Sequence, residues 1–243
     1  MNEKSFYHLT ELNHFNYPEF RENVLQSERT EAMTSRSYPG YPCWKLPKVR
    51  FKLGKSLEKI LTQRRSIREL KKELPSSRVL GRLLHFSHGI TSNFGGGSVP
   101  SAGSLQALEL YLVIWETSWI PAGLYHYDRV GHHLSQISAK MQRVDWEPIV
   151  PSLHHISGGS LLWVLVGDGE RVAQKYKDRG YRFLLLEAGH LMQNLCLVSA
   201  NLRLSTVPLG GFFEAEIARQ FCLPSGDIVA YVGIAGTPVQ KKR

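Results

Sequence analysis

Three arginines and a serine stand within five positions, at Arg64, Arg65, Ser66 and Arg68. Guanidinium groups and a hydroxyl at this spacing can neutralise a dianionic phosphate through charge-assisted, partly bidentate hydrogen bonds. Basic residues also gather at helix C-termini because they interact favourably with the helix dipole, so a solvated helix end is the alternative. The segment is therefore a candidate phosphate site at or just after the end of a helix.

Two segments of small residues could let the backbone approach a flat ligand closely. Residues 91–104 (TSNFGGGSVPSAGS) are almost all small or turn-forming, and PLGGF follows at residues 208–212. A flexible linker is the alternative for the first segment. That loop has neither the Gly-Lys-Ser/Thr of a P-loop nor the GxGxxG spacing of a dinucleotide fold, so the common nucleotide-binding folds are disfavoured.

A lysine and a tyrosine are adjacent at Lys175 and Tyr176, just before the longest helical pattern. A buried lysine can have its pKa lowered enough to act as a base, and a phenol can donate or relay a proton. Lysine is seldom buried, so a surface position is the alternative. On the residues alone, the pair is a candidate acid–base couple.

Metal binding and serine hydrolysis are both disfavoured. No third and fourth ligand is spaced to close a zinc site around the histidine pairs, and no CxxC or GxSxG motif occurs. These pairs are His85 with His88, His132 with His133, and His154 with His155; the cysteines are Cys43, Cys196 and Cys222. We expect no metal.

The composition indicates a soluble domain with one sizeable core. Lys and Arg outnumber Asp and Glu by 30 to 21 among 243 residues, which gives a formal net charge of +9. This charge favours anionic partners, but the sequence has no long Lys/Arg block or aromatic-basic repeat, so nucleic acid binding is not predicted. No signal-peptide pattern and no apolar run of about 18 residues is present, so we expect a reduced cytoplasmic protein without a membrane span.

Hydrophobic periodicity predicts an α+β domain, residues 56–243, with an N-terminal arm, residues 1–55, packed on it. Ser56, and either Ser76 or Ser77, are placed to cap two helices. The longest helical pattern covers residues 181–202 and is predicted to be the central helix. Apolar runs predict strands of a small mixed sheet, the second of them exposed, at residues 110–114, 123–128, 161–166 and 228–232.

Taken together, these segments resemble the SagB-type dehydrogenase branch of the nitroreductase-like FMN enzymes, and the resemblance covers most of the chain. Each motif is short, but their order and spacing together are specific. The similar segments are YHLT at residues 7–10, YPG at 38–40, RRSIR at 64–68, PSAG at 100–103, GLYHYD at 123–128, KYKDRGYRFLLLEAGHLMQNL at 175–195 and GGF at 210–212.

The resemblance implies a homodimer with FMN at the subunit interface, each site taking residues from both chains. It also implies the role of each group of residues in holding the cofactor. Arg64, Arg65, Ser66 and Arg68 would hold the phosphate and ribityl chain; Pro100, Ser101, Ala102 and Gly103 would line the isoalloxazine; Leu209, Gly210 and Gly211 would face the ring near N5; and Lys241 would complete the phosphate site.

In the family, Lys-Tyr at the position of Lys175 and Tyr176 is associated with oxidation of thiazoline or oxazoline rings to azoles. The implied partners are a peptide or small-molecule substrate and other biosynthetic proteins. Two residues depart from the family pattern: Lys177 stands where Gly often follows the pair, and Gln174 where an aromatic is common. The alternatives are an NAD(P)H-dependent nitro or quinone reductase, disfavoured because such enzymes often carry Glu at the position of Gly210, and a non-catalytic scaffold.

Overall fold

Seven strands form one antiparallel sheet in the computed structural model, which describes residues 3–27, 35–50, 54–93, 95–139 and 142–240. The strands lie in the order β1-β4-β3-β2-β5-β7-β6. They are β1 Cys43–Lys45, β2 Leu108–Ile114, β3 Gly123–Asp128, β4 His133–Ala139, β5 Leu161–Asp168, β6 Ser205–Leu209 and β7 Asp227–Gly236. The predicted α+β class is confirmed, and the sheet is wider than the small mixed sheet expected, with every strand pair antiparallel.

The central strands are the ones that the apolar runs predict. All seven residues of β2 and seven of the eight in β5 are buried, because both faces of these strands are covered. The prediction that β3 is exposed was wrong: five of its six residues are buried, because Tyr125 and Tyr127 pack in one hydrophobic cluster and Leu124 packs in the other, on opposite faces of the strand. The sequence did not predict β1, β4 or β6, which are short or polar; β6 contains Pro208, which is tolerated there because β6 is an edge strand.

Helices cover the sheet, and their starts follow the predicted caps. The Ser56 hydroxyl accepts a hydrogen bond from Lys59 N–H and the Ser76 hydroxyl accepts one from Val79 N–H, each at 3.4 Å. The helices among the described residues are α1 Glu3–Thr10, α2 Tyr17–Gln26, α3 Leu57–Gln63, α4 Ser77–His88, α5 Arg143–Trp146, α6 Gly169–Tyr176, α7 Arg179–Asn201 and α8 Glu214–Gln220.

Helix α7 is the predicted central helix. It begins two residues earlier and ends one residue earlier than the predicted range of 181–202. It buries Leu184, Ala188, Leu191 and Leu195 against the core, and it packs on α4, α6 and the sheet. Within the described part of the chain, α7 alone is long and apolar enough to span a membrane by length and composition. The core helix of a globular domain passes the same test.

The N-terminal segment is attached to the body by buried polar contacts. The Arg36 guanidinium donates two hydrogen bonds to the Asp227 carboxylate, at 2.5 and 2.9 Å, and Arg36 N–H donates to Glu109 at 3.0 Å. The hydroxyls of Tyr38 and Tyr111 lie 2.8 Å apart. These contacts join the arm to β2 and β7; the boundary at residue 55 between arm and body stays a proposal.

We predict that Arg36→Ala lowers the free energy of unfolding by roughly 3 kcal/mol, because it leaves the carboxylate of Asp227, whose side chain is 3% exposed, without its cation. Urea unfolding followed by circular dichroism measures the loss. The control is Arg219→Ala, which breaks an exposed ion pair with Glu216 and should cost under about 1 kcal/mol. Equal losses in the two variants would show that the Arg36 pair contributes no more than a surface ion pair.

Candidate active site

Lys175 and Tyr176 form the last turn of α6, which Asp168 caps by accepting a hydrogen bond from Arg171 N–H at 3.0 Å. The Tyr176 side chain is buried between two aromatic rings, with ring centroids 5.0 Å from Phe183 and 6.1 Å from Phe20 of the arm. Burial raises the pKa of Tyr176. The aromatic packing fixes the orientation of the Tyr176 ring. The raised pKa keeps the phenol protonated at neutral pH.

The backbone of Gly103 lies directly against this pair. A Cβ atom added at Gly103 would overlap the Tyr176 hydroxyl and would stand 3.3 Å from Lys175 Nζ. Gly103 also has a φ of +58°, in the left-handed region that glycine adopts most readily. The structure thus brings the PSAG segment and the Lys-Tyr pair together, and both conformation and space require glycine at this position.

The loop around Gly103 is held by several hydrogen bonds. The Ser101 hydroxyl accepts from Gln106 N–H at 2.8 Å, and the Gln106 side chain donates to the Gly95 carbonyl at 3.1 Å. Ser104 and Gln106 have φ values of +57° and +47°, which are uncommon for residues with a Cβ. These bonds connect Gln106 to Ser101 and Gly95 across the turn that contains Gly103.

Glu187 of α7 lies behind this loop, and the sequence analysis gave it no role. Burial raises the pKa of Glu187 to about 7; hydrogen bonds from the Ser101 side chain and the Leu108 backbone, and the charges of Arg129 and Arg171, act in the opposite direction. The sequence contains a signal that Glu187 is buried. Glu187 continues the apolar stripe of α7, three residues after Leu184, where a carboxylate needs a buried polar partner.

The arginine segment follows α3, as predicted. Arg64 Nη1 donates to Ser66 Oγ at 3.3 Å, while Arg65 and Arg68 are exposed. Among the described residues, none of these three guanidinium groups forms an ion pair with a carboxylate. Beside them lies a cavity of about 390 Å³, whose lining includes Arg65, Cys196, Arg203, Ser205, Pro238 and Gln240. This donor set has the chemistry of an anion site.

The glycines of the PLGGF segment differ in their surroundings. Nothing lies within 4 Å of a Cβ added at Gly210, so its backbone faces open space. Gly211 contacts Ser152, whose hydroxyl accepts a hydrogen bond from Gly211 N–H at 3.0 Å, and Leu209 is buried at the end of β6. A planar ligand could therefore approach the backbone at Gly210. Lys241, the remaining predicted phosphate contact, lies outside the described residues.

Helix α7 separates the two groups of candidate residues. Ser101 is among the groups that act on the carboxyl of Glu187 on this helix, whereas Cys196, whose pKa burial raises to about 11, lines the cavity beside Arg65. Nine residues at a rise of 1.5 Å place these two points about 13 Å apart along the helix. One chain thus presents two groups at different positions along α7: a cationic half, which is the arginine segment after α3, and an acid–base half, which is Lys175 and Tyr176 with Gly103.

The chain belongs to the nitroreductase family, a family of oxidoreductases, whose model matches residues 61–236. A Methanocaldococcus jannaschii protein named as a nitroreductase is 31% identical over 173 residues, which cover 66% of this chain and 81% of that protein. A solved structure named as a nitroreductase, from Ralstonia eutropha, has a TM-score of 0.73 at 23% identity and covers 82% of this chain and 90% of its own.

Two further solved structures share the fold at lower identity. One belongs to the Escherichia coli microcin synthetase McbBCD complex with truncated pro-MccB17 bound; it has a TM-score of 0.65 at 18% identity and covers 97% of this chain and 87% of that chain. The other is a protein from Exiguobacterium sibiricum, named as a nitroreductase in complex with FMN, with a TM-score of 0.54 at 14% identity, covering 78% and 91%. At these identities the likeness concerns the fold alone.

Lys177, which departs from the family pattern after the Lys-Tyr pair, has φ +49° and ψ −141°. A residue with a Cβ is strained in this region by roughly 1–3 kcal/mol, and glycine is not. We predict that Lys177→Gly raises the free energy of unfolding by about 1 kcal/mol, after the larger entropy of glycine in the unfolded chain is subtracted.

The control is Lys59→Gly in α3, where glycine should lower the free energy of unfolding by about 1 kcal/mol because it is a poor helix former. Urea titration of both variants and the parent measures the two changes. If Lys177→Gly destabilised the protein as much as Lys59→Gly does, the strain assigned to Lys177 would not exist.

Proposed function

We propose that the protein is an FMN-dependent dehydrogenase that oxidises an azoline ring, thiazoline or oxazoline, in a peptide or related natural-product intermediate. One observation carries this proposal: Lys175 and Tyr176 stand against the backbone of Gly103, in the segment expected to line the flavin ring. A proton-transferring pair placed beside a hydride acceptor is the arrangement that removal of two hydrogens from a ring requires.

The described residues fit FMN. Arg64 and Ser66 offer donors to a phosphate without a competing carboxylate, and the Gly210 backbone offers an open face to a planar ring. When bound, FMN would accept the hydride and would then need oxygen or another acceptor to be reoxidised. The fold neighbour from Exiguobacterium sibiricum is in complex with FMN, which supports this cofactor for a chain of the same family.

The cofactor site is proposed to form between two copies of the chain. The arginine segment and the Gly103 loop of one chain lie about 13 Å apart along α7. In a dimer, the arginine segment of one chain would face the Gly103 loop of the other chain across a single flavin. Leu185 and Leu186 are exposed on α7 by 45% and 55%, which provides apolar surface for such an interface. The proposed active unit is a homodimer.

Within the site, Lys175 acts as the base and the Tyr176 hydroxyl relays to it the proton from the ring carbon next to the one that gives up the hydride, so that the bond between these two carbons becomes a double bond. Tyr176 is fixed between Phe20 and Phe183, so its hydroxyl is presented at Gly103 without a search among rotamers. The loop backbone at Gly103 keeps the ring of the substrate and the cofactor close to this hydroxyl. The microcin synthetase structure contains a bound pro-peptide, which supports a peptide substrate for this chain of the same fold.

We predict that Lys175→Ala and Tyr176→Phe retain bound FMN but lower turnover of a thiazoline-containing peptide by at least about 100-fold, the usual contribution of proton transfer. The double variant Arg64→Ala, Ser66→Ala should instead lose the flavin, because it removes two phosphate donors. Flavin content is read from the visible spectrum and turnover from the mass loss of two hydrogens in the product.

Lys177→Ala is the matched control, because Lys177 is an exposed lysine one position after the pair. It should keep both flavin and turnover. Full turnover by Lys175→Ala would remove that residue from the mechanism. Turnover of a nitro compound with NADPH, together with no reaction of the thiazoline peptide, would instead favour a reductase on the same scaffold.

A further inference from the structure

A cavity of about 750 Å³ lies between the segment before α3, helix α4 and the C-terminal end of α7; we call it the α4 cavity. Among the described residues, it shares no lining residue with the cavity beside Arg65. No carboxylate is among its described lining residues, whereas four cations are: Lys48, Arg50, Arg78 and Arg82. The proposed function gives none of these four a role.

Arg78 and Arg82 occupy positions that are unfavourable for the helix that carries them. Arg78 lies in the first turn of α4, where the helix dipole favours an acidic residue, and that turn contains none. Arg82 follows four residues later, and like charges at this spacing repel each other on one face of a helix. Within the part of the chain that the structure describes, neither guanidinium forms an ion pair with a carboxylate. An anion bound from outside the chain would compensate both charges.

Contacts within the chain orient the wall of the α4 cavity but do not neutralise it. Arg82 Nη1 donates a hydrogen bond to the Arg50 carbonyl at 2.7 Å, and Arg82 Cζ lies 5.4 Å from the centroid of the Phe86 ring. A Cβ atom added at Gly54 would lie 3.3 Å from the side-chain amide of Asn201, so Gly54 packs closely on the end of α7. An oriented guanidinium that keeps its charge can bind a carboxylate through two parallel hydrogen bonds.

The size and lining of the α4 cavity favour a ligand with several separated anions. Its volume is within the range of about 300–1,000 Å³ that is typical of ligand pockets, and Pro47, Val79 and Leu202 add apolar groups to its wall. A peptide segment with Asp and Glu among apolar residues offers both kinds of group. Single-stranded nucleic acid is instead bound on aromatic side chains that stack with its bases, and no aromatic residue is among the described residues that line this cavity.

The α4 cavity is distant from the acid–base pair of the same chain. Asn201 lines the cavity, and Phe183, whose ring centroid is 5.0 Å from that of Tyr176, lies eighteen residues earlier on α7. At a rise of 1.5 Å per residue, the two positions are about 27 Å apart along the helix. An extended peptide needs at least about eight residues to cover this distance. The cavity can therefore hold a remote part of a substrate without taking part in the reaction.

We propose that the α4 cavity is a docking site for an acidic segment of the peptide substrate, remote from the ring that is oxidised. Arg78 and Arg82 bind carboxylates of the segment, Lys48 and Arg50 add positive charge around them, and the apolar wall contacts the side chains between them. The inference rests on the proposed function for the identity of the peptide as a substrate. Binding of an acidic peptide is measured without turnover, so the two proposals can fail separately.

Fluorescence anisotropy tests the docking site on the purified protein. The probe is a labelled peptide with four Glu residues separated by Leu and Ser, and its counterpart has Gln in place of each Glu. We expect the Glu peptide to bind at least about tenfold more tightly than the Gln peptide, and rising salt to weaken its binding. The double variant Arg78→Ala, Arg82→Ala should raise the Kd of the Glu peptide by at least about tenfold.

The matched control is the double variant Lys71→Ala, Lys72→Ala, which removes the same net charge from exposed lysines outside the cavity. It should change the Kd by less than about twofold, because charges more distant than a Debye length are screened. A folded arginine variant with the parental Kd overturns the proposal, as does an equal loss in the lysine control, which would show that only overall charge matters. Tighter binding of a single-stranded oligonucleotide with the same number of charges also overturns it, in favour of nucleic acid.

A second variant covers the case in which the arginine variant does not fold by circular dichroism. The double variant Lys48→Ala, Arg50→Ala removes the cations of the segment before α3. It must then raise the Kd of the Glu peptide by at least about threefold, or the proposal fails.

Kinetics connect the docking site to the proposed function. The Glu segment, joined to the thiazoline peptide by a spacer of about ten residues, should lower the KM of the parent protein by at least about tenfold with a smaller effect on kcat. The arginine variant should lose this advantage and the lysine control should keep it; an advantage that survives in the arginine variant overturns the docking of substrate. If the parent protein turns over neither peptide, the proposed function fails, while anisotropy still decides whether the cavity binds an acidic peptide.

Discussion

The approach of the Gly103 backbone to the Tyr176 hydroxyl is the contact on which the candidate site depends. It leaves no room for a Cβ at Gly103 and requires a left-handed backbone there. It also requires α6 to end at Tyr176. Lys177 ends this helix by adopting a strained backbone conformation, and α7 begins two residues later, at Arg179. The local cost of these conformations is met by hydrogen bonds from Ser101, Gln106 and the neighbouring helices.

The sheet and α7 give this contact a rigid support. Strands β2 and β5 fill the centre of the sheet with apolar side chains, and α7 packs across them with one face buried. Because α7 is continuous over 23 residues, it sets the separation between the cationic segment and the Gly103 loop.

The sequence predicted the elements whose signals are local. Ser56 and Ser76 cap helices, the run from Leu184 to Leu195 marks α7, and the apolar runs mark β2 and β5, because periodicity and capping depend only on nearby residues. The burial of β3 and the existence of β1 and β4 depend on pairing between distant segments, which periodicity does not record. Likewise, nothing local shows that Gly103 meets Tyr176. The roles of the individual site residues therefore remain proposals, although the structure places several of them together.

The most direct test of the central claim is an anaerobic titration of the purified protein followed by visible absorption. A thiazoline-containing peptide and NADPH are added separately to the oxidised protein. Oxidation of an azoline by bound FMN predicts flavin bands that the peptide bleaches and NADPH does not, together with an azole product two hydrogens lighter. Bleaching by NADPH alone would contradict the dehydrogenase assignment, and absence of flavin bands after reconstitution with FMN would contradict the cofactor as well.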